Sequence, residues 1–265
     1  MRRSNRPDIG YWTSRPVVDK PNPMKWVSFI PSADRRIVIR AAHHDPEPVY
    51  VSGEPGAGKS AIARWIHANS LRSTKPYILC GPGDSLYEKS SLADRGTLVI
   101  QDLQLFSEAK NSELHRFIRS HSLIDPASGI RHLARARVIA TSDIALSTGS
   151  LFYPLFQKFR IHLPSLNTRR SELADIVETL LLEMAHEMKK DHVRTLSRDA
   201  MDALEKHTWR RNLRELRNIL RFGILSTNTS RIELFHLPDL EDPSGNLMLG
   251  REAFKKIEEE IKERC

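Results

Sequence analysis

The sequence predicts an α/β protein in which a mostly parallel sheet, sandwiched by helices, is followed by a small helical domain. Two observations predict this class. Between residues 49 and 164, short apolar runs alternate with helical patterns, which is typical of parallel strands joined by helices. After Pro164 the apolar residues recur at helical spacing, over residues 172–189, 197–206 and 212–225.

The elements of the first domain follow in a regular order. Ser32-Ala33-Asp34 resembles a helix start, and the helix is expected to reach about His43, before a Pro-rich break. Strands are then predicted at 49–51, 76–79, 97–100, 137–141 and 160–164, with helices at 61–70 and 111–120. We therefore divide the chain into an N-terminal arm (1–30), an α/β domain (31–167), a helical domain (168–240), and a linker with a charged helix (241–265).

Composition and charge narrow the classes of function. The chain of 265 residues carries a net charge of +8, which favours anionic partners such as nucleotides, nucleic acids or acidic proteins. Two distant cysteines, Cys80 and Cys265, make no disulfide framework. The N-terminus lacks the apolar core of a secretory signal, and no apolar run reaches the roughly 18 residues of a membrane span. These observations favour a cytoplasmic protein with no membrane contact.

The most specific motif lies between the first strand and the helix after it. It matches the P-loop pattern, with a strand before it and a helix after it. Its residues are Gly53, Glu54, Pro55, Gly56, Ala57, Gly58, Lys59 and Ser60. The glycines allow backbone N–H groups to surround phosphates, and the helix adds its positive end. We expect Lys59 to reach the β- and γ-phosphates and Ser60 to ligate Mg²⁺.

A catalytic acid is expected at the end of a neighbouring strand. Asp102 follows the strand at 97–100, but the residue before it is Gln101 and the residue after it is Leu103. Either Asp102 serves the metal and no base follows, or Asp102 is the base and an amide replaces the metal acid. Each catalytic group of this kind is typically worth about 10²-fold or more in rate. Nucleotide binding should survive this change better than hydrolysis.

With these segments placed, residues 29–240 resemble the AAA+ central domain of bacterial sigma-54-dependent transcription activators. The phrases that carry the resemblance are Gly53–Ser60, 96–100, 137–141, Leu163-Pro164-Ser165-Leu166, 169–176 and Trp209-Arg210-Arg211-Asn212-Leu213-Arg214-Glu215-Leu216-Arg217-Asn218. The resemblance implies a P-loop AAA+ fold with a helical lid, ATP with Mg²⁺ as cofactors, and subunits that assemble into homo- or hetero-oligomers. It also implies that Arg214, on a lid helix, reaches the nucleotide phosphates.

The sequence also departs from this family. The family senses the γ-phosphate with a polar residue after the fourth strand, usually asparagine, and here Ser142 and Asp143 are both in line. The sigma-gripping loop between the second and third strands is absent. Gly149 and Leu155 stand where arginine fingers are expected, with Lys158 and Arg160 nearby but out of register. No helix-turn-helix pattern follows the lid in this sequence.

Three functions remain open. The first is an ATP-binding AAA+ regulator of transcription with weak or partner-dependent hydrolysis. The second is a nucleic-acid-binding module, because arginines crowd both the lid helix near Arg214 and the N-terminal arm. The third is an active motor ATPase, against which Gln101 and the missing fingers argue. Contact with DNA or the transcription machinery is thus possible under more than one function.

Overall fold

The computed structural model describes residues 30–240, so the predicted N-terminal arm and charged C-terminal helix lie outside the described residues. The helices of the first part are α1 (Arg35–His43), α2 (Lys59–Ala68), α3 (Leu86–Leu92) and α4 (Glu108–Ser120). Its strands are β1 (Val49–Gly53), β2 (Tyr77–Cys80), β3 (Thr97–Ile100), β4 (Ser122–Ile124), β5 (Arg131–Leu133), β6 (Arg137–Ser142) and β7 (Arg160–Leu163). The second part contains α5 (Leu173–Glu187), β8 (Thr195–Leu196), α6 (Arg198–Lys206), α7 (Asn212–Ser226) and β9 (Arg231–Ile232).

Five strands form one parallel sheet in the order β2-β3-β6-β1-β7. β1, β3 and β6 are buried along their whole length, as expected for parallel strands covered on both faces. Because all five strands run the same way, their carboxyl ends meet at one edge, where ligands of open α/β sheets bind. The predicted α/β class is confirmed.

The hydrophobic residues separate into three clusters. One cluster packs α1 and α2 against one face of the sheet, and a second packs α3 and α4 against the other. The third runs from Leu166, at the end of the first part, to Leu237 in the second part, and it surrounds the buried Trp209. The helical part therefore has a core of its own.

Some elements were not predicted. Helix α3 lies between the second and third strands, where no element was predicted. Its start is marked by Ser85, whose side chain accepts a hydrogen bond from the Glu88 N–H. This Ser-x-x-Glu spacing is the available signal. The β4–β5 hairpin and the short β8–β9 pair were also missed, because strands of two or three residues carry almost no periodic pattern. Within residues 30–240, no helix is long and apolar enough to cross a bilayer.

Candidate functional site

The P-loop connects strand β1, which lies between β6 and β7 in the sheet, to helix α2. Gly53, Gly56 and Gly58 all have positive φ angles, of 150°, 82° and 105°. Gly58 directly precedes the helix, in the left-handed conformation that glycine adopts at little cost. The backbone therefore turns sharply and presents the N-terminus of α2 at the edge where the strands end.

A close contact explains why one of these positions excludes a side chain. A Cβ atom on Gly56 would lie 2.1 Å from the backbone oxygen of Arg211, in the helical part. The P-loop and the turn before α7 are thus in backbone contact. Glycine at position 56 is therefore required for the close approach of the helical part to the P-loop.

A cavity of about 550 Å³ opens beside the P-loop, a size typical of small-molecule sites. Both parts of the chain contribute to its wall. It is lined by Pro55, Gly56, Gly58, Lys59, Ser60, Ala61, Gln101, Asp102, Gln104, Leu105, Thr141, Asp143, Leu180, Leu213, Arg214 and Arg217. Five of the predicted site residues, which come from four separate segments of the chain, line this one cavity: Lys59, Ser60, Asp102, Asp143 and Arg214.

Lys59 is the charged centre of this cavity. Its ammonium donates hydrogen bonds to the backbone oxygens of Gly53 and Glu54, at 2.7 and 3.0 Å. It also forms an ion pair with Asp143, with 2.7 Å between Nζ and Oδ1. The lysine side chain is only 9% exposed, so its charge is concentrated where the phosphates of a nucleotide are expected.

The ends of β3 and β6 form the opposite wall. Gln101 and Asp102 follow β3, and the Asp102 N–H donates to the Thr141 hydroxyl at 3.4 Å. The Asp143 N–H donates to the Gln104 side chain at 3.2 Å. Of the two residues left open for γ-phosphate sensing, Asp143 lines the cavity, whereas Ser142 is buried and its hydroxyl accepts a hydrogen bond from the Ile144 N–H.

Three residues of the P-loop do not line the cavity: Gly53, Glu54 and Ala57. Ala57 is buried in the core, and the Glu54 carboxylate accepts a hydrogen bond from the Asn212 side chain at 3.1 Å. The Asn212 amide also donates to the Pro55 oxygen at 3.2 Å and accepts from the Leu166 N–H at 2.7 Å. One fully buried side chain therefore joins the P-loop, the segment between the two parts, and the start of α7.

Sequence reasoning did not single out Asn212 or Gln104, and it considered Arg217 only among the lid arginines of a possible nucleic-acid-binding surface. Asn212 lies within residues 209–218, one of the segments that carry the family resemblance. The sequence of this segment gives no sign that Asn212 contacts the P-loop. Arg217 lines the cavity three residues after Arg214, so both point from one face of α7. Its ion pairs with Glu183 and Glu187 are long, at 3.9 and 3.8 Å.

The turn that carries Arg211 is fixed by a buried carboxylate. Glu215 accepts hydrogen bonds from the Arg211 N–H and from the His207 ring, both at 2.9 Å. Burial acts to raise the pKa of Glu215, but these hydrogen bonds outweigh it and hold the pKa below its ordinary value. The ionised carboxylate holds the turn that contacts the P-loop.

The finger candidates near β7 make contacts within their own chain. Lys158 pairs with Glu47 at 3.0 Å, and the guanidinium of Arg160 lies 4.1 Å from the centre of the Tyr153 ring. Neither residue lines the cavity described above. A role for them in the site of a second subunit stays a prediction.

The connection between β2 and β3 is short and tied down. Residues 81–96 contain helix α3 and no long loop. Lys110, on α4, donates hydrogen bonds to the backbone oxygens of Gly81, Pro82 and Asp84. The segment between β2 and β3, where the family carries its sigma-gripping loop, is therefore compact and held against the domain.

The cavity residues fit a nucleoside triphosphate with Mg²⁺. The glycine cradle and Lys59 suit the phosphates, and the hydroxyl of Ser60 and the carboxylate of Asp102 are oxygen ligands of the kind that Mg²⁺ prefers. No three His, Cys, Asp or Glu side chains of residues 30–240 form a metal cage by themselves.

Comparison with known proteins places this geometry in a family. The sigma-54 interaction domain matches residues 33–166, and the AAA+ ATPase lid domain matches residues 167–245. The regulatory protein LuxO of Vibrio parahaemolyticus is 26% identical, over 90% of this chain and 59% of its own length. The alginate biosynthesis transcriptional regulatory protein AlgB of Pseudomonas syringae is 25% identical, over 75% and 51%. The chain therefore spans between about half and three-fifths of the length of these relatives.

Solved structures agree on the fold. NtrX from Brucella abortus in complex with ATP superimposes with a TM-score of 0.64 at 20% identity, covering 92% of this chain and 61% of NtrX. A mutant of RuvB from Thermotoga maritima gives a TM-score of 0.56 at 17% identity, covering 77% and 67%. The resemblance predicted from the sequence is confirmed: the chain belongs to the sigma-54 interaction domain family of AAA+ proteins, with its lid domain.

Proposed function

We propose that this protein is an ATP-binding regulator of transcription in which bound ATP and Mg²⁺ act as a switch, while hydrolysis is weak or depends on a partner subunit. The observation that carries the proposal is that one cavity combines an intact binding loop with an incomplete set of catalytic acids. The P-loop and Lys59 are intact, but the residue before Asp102 is the neutral Gln101. AlgB, a relative that is named as a transcriptional regulatory protein, supports the process.

Binding requires groups that are all present. The P-loop N–H groups, Lys59 and Arg214 would hold the phosphates, and Ser60 and Asp102 would hold Mg²⁺, which neutralises phosphate charge when bound. Because Arg214 belongs to α7, a phosphate that contacts both parts of the chain would fix the lid against the sheet. Nucleotide binding would therefore select one arrangement of the two domains.

The site has fewer of the groups that hydrolysis requires than of those that ATP binding requires. Asp102 and Gln101 are the candidate catalytic residues, and an amide gives less electrostatic help than the carboxylate it replaces. An arginine finger supplied by another subunit is worth roughly 10³-fold or more in rate. We therefore propose that assembly with a different AAA+ subunit, which supplies the missing finger, decides whether ATP is cleaved.

The test is ATP turnover across a range of protein concentrations, with binding of labelled ATP measured in parallel and Lys59→Ala as control. The proposal expects Lys59-dependent binding with little turnover by the protein alone. Fast turnover that rises with protein concentration and is lost in Lys59→Ala would refute weak hydrolysis and show an active motor. Binding unchanged in Lys59→Ala would refute the site itself.

A further inference from the structure

The Asp143 carboxylate lies beside Lys59, where the proposed function places a phosphate. Asp143 Oδ1 lies 2.7 Å from Lys59 Nζ, and the Asp143 backbone is held by Gln104. The Asp143 side chain is 37% exposed and lines the same cavity as the P-loop. A triphosphate that binds Lys59 must therefore break the ion pair between Lys59 and Asp143. The phosphates and the Asp143 carboxylate then lie close together in the same cavity.

The residue that follows the neighbouring strand β3 is neutral, whereas Asp143 after β6 is charged. β3 and β6 are neighbours in the sheet, with Ile100 paired to Ala140, so Gln101 and Asp143 leave the sheet from adjacent strands. Both line the cavity, together with Asp102. The wall thus has a neutral amide at 101 and a carboxylate at 143.

We propose that Asp143 makes triphosphate binding dependent on Mg²⁺, by supplying from β6 the second carboxylate that Gln101 does not supply from β3. This inference rests on the proposed function, because it requires ATP at Lys59. Without a divalent cation, the displaced carboxylate and the phosphates repel each other across a partly buried cavity. With Mg²⁺ between them, Asp143 faces the cation along with Asp102 and Ser60.

The experiment compares the dissociation constant of a fluorescent ATP analogue in Mg²⁺ and in EDTA. Because Mg²⁺ also binds ATP in solution, the informative quantity is the EDTA/Mg²⁺ ratio of each variant relative to wild type. In Asp143→Asn, binding in EDTA should tighten and the ratio should fall by about tenfold, within the usual range of coupling between two ligands. Gln101→Asp combined with Asp143→Asn should restore the ratio.

Two controls separate the possible failures. Asp202→Asn removes one charge from an exposed position on α6 and should leave the ratio unchanged. A ratio in Asp143→Asn equal to that of wild type, with an unchanged melting temperature, would overturn the role of Asp143 while ATP binding stands. Wild-type binding that is absent, or equal in Lys59→Ala, would overturn the proposed function and this inference together.

Discussion

Replacing Asn212 by alanine should destabilise the folded protein by about 3 kcal/mol, from a lost buried hydrogen bond and an unfavourable backbone angle. The side chain is fully buried and bonds to Leu166, Glu54 and Pro55. The Leu166 N–H is buried and would lose its partner, at a cost of about 1–3 kcal/mol. Glu54 and Pro55 are exposed and can bind water instead, so their loss adds little.

The backbone at this position adds a second term. Asn212 has a φ of 53°, in the left-handed region that asparagine tolerates better than alanine. Alanine there costs about 1 kcal/mol more. For a described region of this size, a loss of about 3 kcal/mol corresponds to a fall of roughly 6–12 °C in melting temperature.

Urea denaturation of wild type, Asn212→Ala and Asn212→Gly measures both terms. Glycine removes the same hydrogen bonds but accepts the positive φ, so Asn212→Gly should be the milder change by about 1 kcal/mol. A loss below about 1 kcal/mol in Asn212→Ala would refute the buried hydrogen-bond account. A larger loss in Asn212→Gly than in Asn212→Ala would refute the backbone account.

Three other substitutions test separate contacts. Gly56→Ala places a methyl group against the Arg211 oxygen and should weaken ATP binding by about tenfold or more by calorimetry, whereas Gly83→Ala, with nothing within 4 Å, should not. Burial lowers the pKa of His67 from 6.5 to about 4, so between these values the unfolded chain binds a proton that the folded protein does not. Stability should therefore fall as the pH drops from 6.5 towards 4, and denaturant titrations should show a flatter fall in His67→Gln. Lys110→Met should lower the free energy of unfolding by about 1.5–3 kcal/mol in urea melts, and a loss near zero would contradict the bonds to the 81–84 loop.

The P-loop could be predicted from the sequence because a phosphate cradle is built from consecutive residues. Its glycines, lysine and serine carry their geometry in local backbone preferences and in the strand and helix that flank them. The parallel sheet was predictable because its strands are short apolar runs that alternate with amphipathic helices, and the two patterns are distinct. Helix α3 and the β4–β5 hairpin were too short to leave such a pattern.

The sequence by itself therefore determined the fold class, the glycine-rich loop between β1 and α2, and the presence of a helical lid with Arg214. The tertiary structure decided which residues share the cavity. Only the packed sheet shows that Asp143, and not Ser142, meets Lys59, because that depends on where β6 ends relative to β1. Only the docked lid shows that Asn212 bonds to a P-loop residue 158 positions away, since such contacts arise from packing between distant segments and leave no local pattern.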